Sequence, residues 1–206
     1  MRIRRPRVAM DVSRLPDVTF GPSDIMWWGT AGFVLIEGFT MALCWMVLIY
    51  LHQNFPTWPP EDTRRPSLGL ASVLAAAMAL SIPFVWWLDK AAKRFDLRAM
   101  RIWLPVAALV CSAFVGMRLA ELGGSILHVK WNTNAYGSAV WLVLGSHGTL
   151  LLIEAAELIG FALAFWIAPI ERKHFSDVSD AMYYWYFMAA TGLVTYVLVF
   201  LLPRWI

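Results

Sequence analysis

Cysteine is nearly absent: Cys44 and Cys111 are the only two, with no CxxC pair and no Cys/His cluster. That leaves neither a disulfide framework nor a zinc site to read. Each cysteine sits inside an apolar run and reads as a small buried hydrophobe. Charge is scarce too, at 15% of residues. Of four histidines, His52, His128, His147 and His174, only His147 lies deep in an apolar run. A membrane haem held by two facing imidazoles at depth is therefore not expected on this chain. The sequence has no Gly-rich phosphate loop, no nucleophile elbow and no basic recognition surface, which argues against nucleotide, hydrolase and nucleic-acid functions. Residues 1–24 are Arg-rich and contain proline, with no apolar stretch of signal-peptide type before Ile25, so no cleavable leader is expected.

What the chain has in abundance is apolar length. Hydrophobic residues make up 60% of it, with 12 Trp among 206 residues, and the mean hydropathy is +0.60. These values belong to integral membrane proteins. Apolar runs of about 20 residues cross a hydrocarbon core about 30 Å thick. Five such runs are predicted, over residues 25–51, 68–88, 102–122, 139–167 and 181–202, forming one all-α five-helix transmembrane domain over 25–206 behind a tail over 1–24. The fourth is longer than a perpendicular crossing needs, which predicts a tilt or a projection into water. Pro83 and Pro105 are expected near span ends, and Trp27, Trp28, Trp86, Trp87, Trp103, Trp131 and Trp185 as interfacial anchors. Twelve Lys and Arg fall in the tail, the second loop (Lys90–Arg101) and the fourth loop (Arg172, Lys173), against five on the other side. This asymmetry predicts a cytoplasmic N-terminus and a periplasmic C-terminus.

Against that background a few polar residues stand out. Glu37 falls about halfway along the first span, and Arg118 and Glu121 are three residues apart on the third, close enough to pair on one helix face. The fourth span carries "GSHGTLLLIEAAELI", with His147, Glu154 and Glu157. At 100° per residue, His147 and Glu154 are nearly in line and Glu157 falls within about 80° of them. A central acid facing lipid costs about 2.5–3.5 kcal/mol on insertion scales, so this face is expected to meet protein, headgroups or water. Three readings stay open: a hydrogen-bonded seam between helices, a proton relay, or a metal site. Glu37 itself reads either as a functional membrane acid or as a group bonded to Thr40 or to a neighbouring helix.

Taken in order, the motifs resemble subunit III of the haem–copper cytochrome c oxidases, in the short bacterial form with five helices. The resemblance runs through Glu37 on the first span, Trp58-Pro59-Pro60, and Glu121 in "RLAEL". It continues through Tyr136-Gly137-Ser138, Gly145-x-His147-Gly148, and Tyr184-Trp185 in "YYWYF". The chain departs from the family pattern at Arg118, Leu150, Glu154, Tyr186 and Ala189, which suggests a rewired polar seam. Tyr183, Tyr184, Tyr186, Thr191 and Arg118 are the expected partners of Glu154 and Glu157.

The resemblance implies a non-catalytic subunit of a bacterial terminal oxidase in the inner membrane. It would partner catalytic subunit I and subunit II, bind phospholipid and support proton uptake. No cofactor is expected on this chain, with haem and copper in the partner subunits. The Arg-rich tail and second loop read equally as holders of anionic headgroups and as ordinary positive-inside bias. Rival readings are an accessory subunit of a nitric oxide reductase and a small proton-coupled transporter. A membrane-embedded enzyme is a third rival, without a recognisable nucleophile.

Overall fold

The computed structural model describes residues 16–61, 63–123 and 126–205. The arginines at positions 2, 4, 5, 7 and 14 of the tail lie outside the described residues. Among the described residues the chain is all-helical, with five helices long and apolar enough to cross a membrane. These are α1 (Ile25–Asn54), α2 (Gly69–Lys93), α3 (Leu97–Leu122), α4 (Ala135–Ile167) and α5 (Lys173–Tyr196). A π-helical turn at Val197–Leu201 leads from α5 into a last short helix, α6 (Leu202–Trp205).

Local chemistry sets the boundaries. Asp24, Asp96 and Asn134 each sit in extended backbone, and each accepts from an otherwise orphaned N–H in the first turn of the helix that follows. The turn between α2 and α3 is only Arg94, Phe95 and Asp96, so the predicted second loop is mostly helix. Its basic residues Lys90, Lys93, Arg98 and Arg101 project from helical ends, because polar side chains end a hydrophobic run without ending a helix. Phe95 takes a left-handed φ of 56°, and its ring is clasped by Phe20 and Phe175.

Pro83 and Pro105 both fall inside helices, which run on past the predicted spans. The consequence is clearest at Pro105, which has no N–H to offer the Arg101 carbonyl four residues back. Trp166 Nε1 of α4 donates to that carbonyl instead, at 2.8 Å. In return Arg101 Nε donates to the Phe165 carbonyl, one of the last four of α4, at 2.9 Å. The two helix ends thus satisfy each other's vacancies.

Helix α4 packs against α1, α3 and α5, while α5 also packs against α1 and α2. The starts of α1, α3 and α5 and the ends of α2 and α4 share one end of the bundle, called here the near end. One apolar layer joins α2, α3, α4 and α5 through Leu74, Met78, Leu104, Phe114, Leu158 and Trp185. A second, toward the far end, joins Met41, Leu48, Tyr136, Leu144 and Phe200. Cys44 and Cys111 are buried and unpaired with each other, as expected of small hydrophobes. Trp28, Trp86, Trp87, Trp103 and Trp131 are exposed near helix ends, as anchors should be. Trp185 is not one of them: it is fully buried, and its Nε1 donates to Ser81 at 2.9 Å.

Candidate functional site

The polar residues of the spans separate into a closed seam and an open groove. The seam begins on α3, where Arg118 and Glu121 form an ion pair one helical turn apart. Both are buried, so the pair lies inside the bundle, in the last turns of α3. Arg118 Nη2 also reaches His147 Nδ1 on α4 at 3.3 Å, and His147 Nε2 donates to the Met188 carbonyl of α5 at 3.1 Å. A guanidinium can only donate, which makes Nδ1 the acceptor and places the imidazole proton on Nε2. One histidine thereby ties three helices, with both ring nitrogens engaged.

Two glycines make room for this seam. A Cβ on Gly192 would stand 2.6 Å from Met78 Sδ and 2.8 Å from His147 Nε2. One on Gly148 would meet Arg118 Cγ at 3.1 Å. Gly145 is different, since a Cβ there would meet nothing within 4 Å.

Glu154 and Glu157 do not join the seam as expected. Glu154 is fully buried, yet neither carboxylate oxygen has a hydrogen-bond partner among the described residues. Arg118 is already committed to Glu121 and His147, and Thr191 bonds to backbone carbonyls of its own helix. Glu157 is exposed. The 80° that separates it from His147 is enough to turn it from the α3/α5 side of α4 toward α1. The predicted single face is therefore two faces.

Glu157 instead lines a groove of about 270 Å³ between α1, α4 and α5, with Glu37, Phe33, Ile153 and Tyr184. A second hollow of about 230 Å³ continues along α1 and α4 and shares Glu37 and Ile153. Tyr184 Oη donates to Glu37 Oε2 at 2.6 Å, so Glu37 is held by a neighbouring helix. Thr40 is not its partner and donates to the Ile36 carbonyl. Among the described residues, no Lys, Arg or His lines either hollow.

The remaining motif residues are packing devices at the far end. Trp58 meets Tyr136 edge to face at 4.8 Å between ring centroids, and the Trp58–Pro59 peptide is cis. Pro60, which follows, is buried. Gly137 passes so close to the Lys130 carbonyl that a Cβ would come within 2.2 Å of it. Ser138 Oγ donates to the Trp131 carbonyl at 2.7 Å. These contacts tie the loops after α1 and α3 to the start of α4.

Sequence reasoning missed a polar cluster at the near end, made of Asp24, Asp89, Ser176, Ser179 and Asp180. Its residues are scattered through the chain, and only the packing of α5 against α1 and α2 brings them together. The string "SDVSDAMYY" held the one visible signal, small polar residues recurring at helical spacing on the first turns of α5.

No family model matches the chain. Two proteins named cytochrome c oxidase subunit 3 do resemble it. The one from Thermostichus vulcanus is 23% identical over 181 residues, 85% of this chain and 87% of the relative. The one from Bacillus sp. (strain PS3) is 21% identical over 111 residues, 53% and 54% of the two chains. With five membrane-length helices, the chain is thus similar along most of its length, at low identity, to a protein named cytochrome c oxidase subunit 3.

Proposed function

We propose that this chain is a non-catalytic, subunit III-like component of a haem–copper terminal oxidase in a bacterial inner membrane. In this reading it buttresses catalytic subunit I alongside subunit II, binds phospholipid and supports proton uptake. Haem and copper belong to those partners. The observation that carries the proposal is the alignment over 85% of the chain with a protein of that name. The geometry supports it. His147 spends both ring nitrogens on fastening helices, and the Trp-Pro-Pro and Tyr-Gly-Ser motifs are spent on packing, as suits a scaffold. The near end, with Lys90, Lys93, Arg94, Arg98 and Arg101, is assigned to the cytoplasm by the positive-inside rule.

Glu37 is the acid most suited to a role beyond scaffolding, because it opens onto the groove while Tyr184 fixes its position. The relatives' names favour an oxidase over a nitric oxide reductase as the parent complex. A transporter built on broken helices is disfavoured, since the described residues of α1–α5 run unbroken up to the turn at Val197.

The test is purification through a tagged copy in mild detergent, with an optical spectrum and identification of partners by mass. Haem absorbance is expected in the preparation and none on this polypeptide after separation. A haem retained by the isolated chain, or a chain that purifies alone, contradicts the reading. Glu37→Ala is expected to make turnover decay faster with time while the haems stay in place; immediate haem loss contradicts an accessory role.

A further inference from the structure

The near-end cluster is short of hydrogens and of positive charge. Ser176 Oγ lies 2.7 Å from the Thr19 carbonyl and 2.7 Å from Asp24 Oδ2. A hydroxyl has one proton to give, and an ionised carboxylate has none. With Ser176 donating to Thr19, an ionised Asp24 would face it lone pair to lone pair. A proton on Asp24 Oδ2 completes the series: Asp24 donates to Ser176, and Ser176 donates to Thr19. The other oxygen, Oδ1, still accepts from the Met26 N–H at 3.1 Å and caps α1.

Asp180 shows the same shortage. It is only 5% exposed, and its Oδ2 has no hydrogen-bond partner among the described residues. A buried carboxylate oxygen without a donor is costly. The nearby cations are committed elsewhere: Lys93 pairs with Asp89 at 2.7 Å, and Lys173 pairs with Glu171 at 2.8 Å. His174 Nδ1 accepts from the Glu171 N–H at 3.0 Å. Within electrostatic reach of Asp180 are Asp24 at the head of α1, Asp177 on its own helix, Glu157 from α4 and Lys93 from α2. Asp177 in turn faces Asp24, His174 and Lys173. Carboxyls crowded together and withdrawn from water hold protons between them.

This cluster joins two elements that can part. Asp24 heads α1, whereas Ser176, Asp177 and Asp180 occupy the first turns of α5. Directly beside them Met26 and Phe33 of α1 and Ala181 and Tyr184 of α5 line the groove, and Glu157 belongs to both groove and cluster. Tyr184, which holds Glu37, lies one turn along α5 from Asp180. Moving the start of α1 away from α5 would therefore widen the mouth of the groove.

We propose that Asp24, Ser176 and Asp180 form a proton-operated clasp between α1 and α5, closed while the carboxyls share a proton and loosened when it leaves. The closed state binds that proton more tightly than the open one, so rising pH favours opening. The clasp is made by this chain alone and goes beyond the role proposed for the subunit.

The test is pulsed dipolar spectroscopy of the purified complex in nanodiscs, with spin labels at Ile25→Cys and Ile167→Cys, positions 83% and 81% exposed at the near end. Cys44 and Cys111 are buried, and a protein without the two new cysteines reports any label they take. Between about pH 5 and about pH 9, the ratio of longer to shorter distances is expected to rise, by up to about tenfold per pH unit for one proton released. Asp24→Asn keeps the helix cap and gives Ser176 a permanent N–H donor, while Asp180→Asn removes the second charge. Each variant should hold the short distance across the whole range. A wild-type distance that ignores pH overturns the clasp, and so does an undiminished response in either variant. A variant already open at the acid end would mean that charge closes the contact, which overturns it as well. The wild-type titration decides even where a variant fails to fold, and it does so whatever partners the complex contains.

Discussion

Replacing Gly192 with alanine tests the central seam with a single methyl group. The new Cβ would lie 2.6 Å from Met78 Sδ, 2.8 Å from His147 Nε2 and 3.1 Å from His147 Cε1. Met78 has rotatable bonds with which to retreat. The imidazole does not, because Arg118 holds one nitrogen and the Met188 carbonyl the other. Something must therefore break. Overpacking in a filled interior costs about 1–3 kcal/mol, and losing the bond to Met188 adds about 1 kcal/mol. A total of about 2–4 kcal/mol corresponds to a fall of about 5–15 °C in melting midpoint for a chain of this size. The measurement is thermal unfolding in mild detergent, followed by intrinsic tryptophan fluorescence. Gly145→Ala is the matched control on α4: its Cβ meets open space, and removing a helical glycine gains about 0.5–1 kcal/mol. Adding His147→Ala to Gly192→Ala should relieve the clash, so the double variant loses less than the sum of the two singles. A Gly192→Ala protein that melts no lower than Gly145→Ala would refute the assignment of His147 as the tie between α3, α4 and α5.

Three further outcomes follow from the same contacts. Glu121→Gln should destabilise by about 3–5 kcal/mol, because it strands the buried Arg118 charge, whereas Arg118→Leu with Glu121→Leu should cost much less; chemical denaturation of both variants checks this. Trp166→Phe should cost about 1 kcal/mol in wild type. It should cost almost nothing in a Pro105→Ala background, where the Arg101 carbonyl regains its helical partner, and a double-mutant cycle measures the difference. Tyr184→Phe removes the donor to Glu37 and should cost about 1–3 kcal/mol; infrared difference spectroscopy with Glu37→Gln as reference should show the Glu37 carboxyl band move, and an unmoved band would deny the contact.

The number of helices, their order and their membrane character followed from sequence alone, because a run of apolar residues long enough to cross a bilayer has few other stable fates. The pairing of Arg118 with Glu121 was equally legible, since both lie on one helix and 3.6-residue periodicity places them together. Contacts between helices were not. Glu154 and Glu157 looked alike in "IEAAELI", yet one is buried without a partner among the described residues and the other opens onto a groove. A rotation of 60° around α4 decides between them, and only the positions of α1, α3 and α5 give that rotation meaning. Trp185 read as an interfacial anchor for the same reason, until the packing of α2 put Ser81 within reach of its indole. Asp180, Asp89 and Trp27 belong to three separate helices, and no local pattern announces their meeting. Periodicity along one helix is written in the chain, whereas the angle at which helices cross depends on how every side chain between them packs.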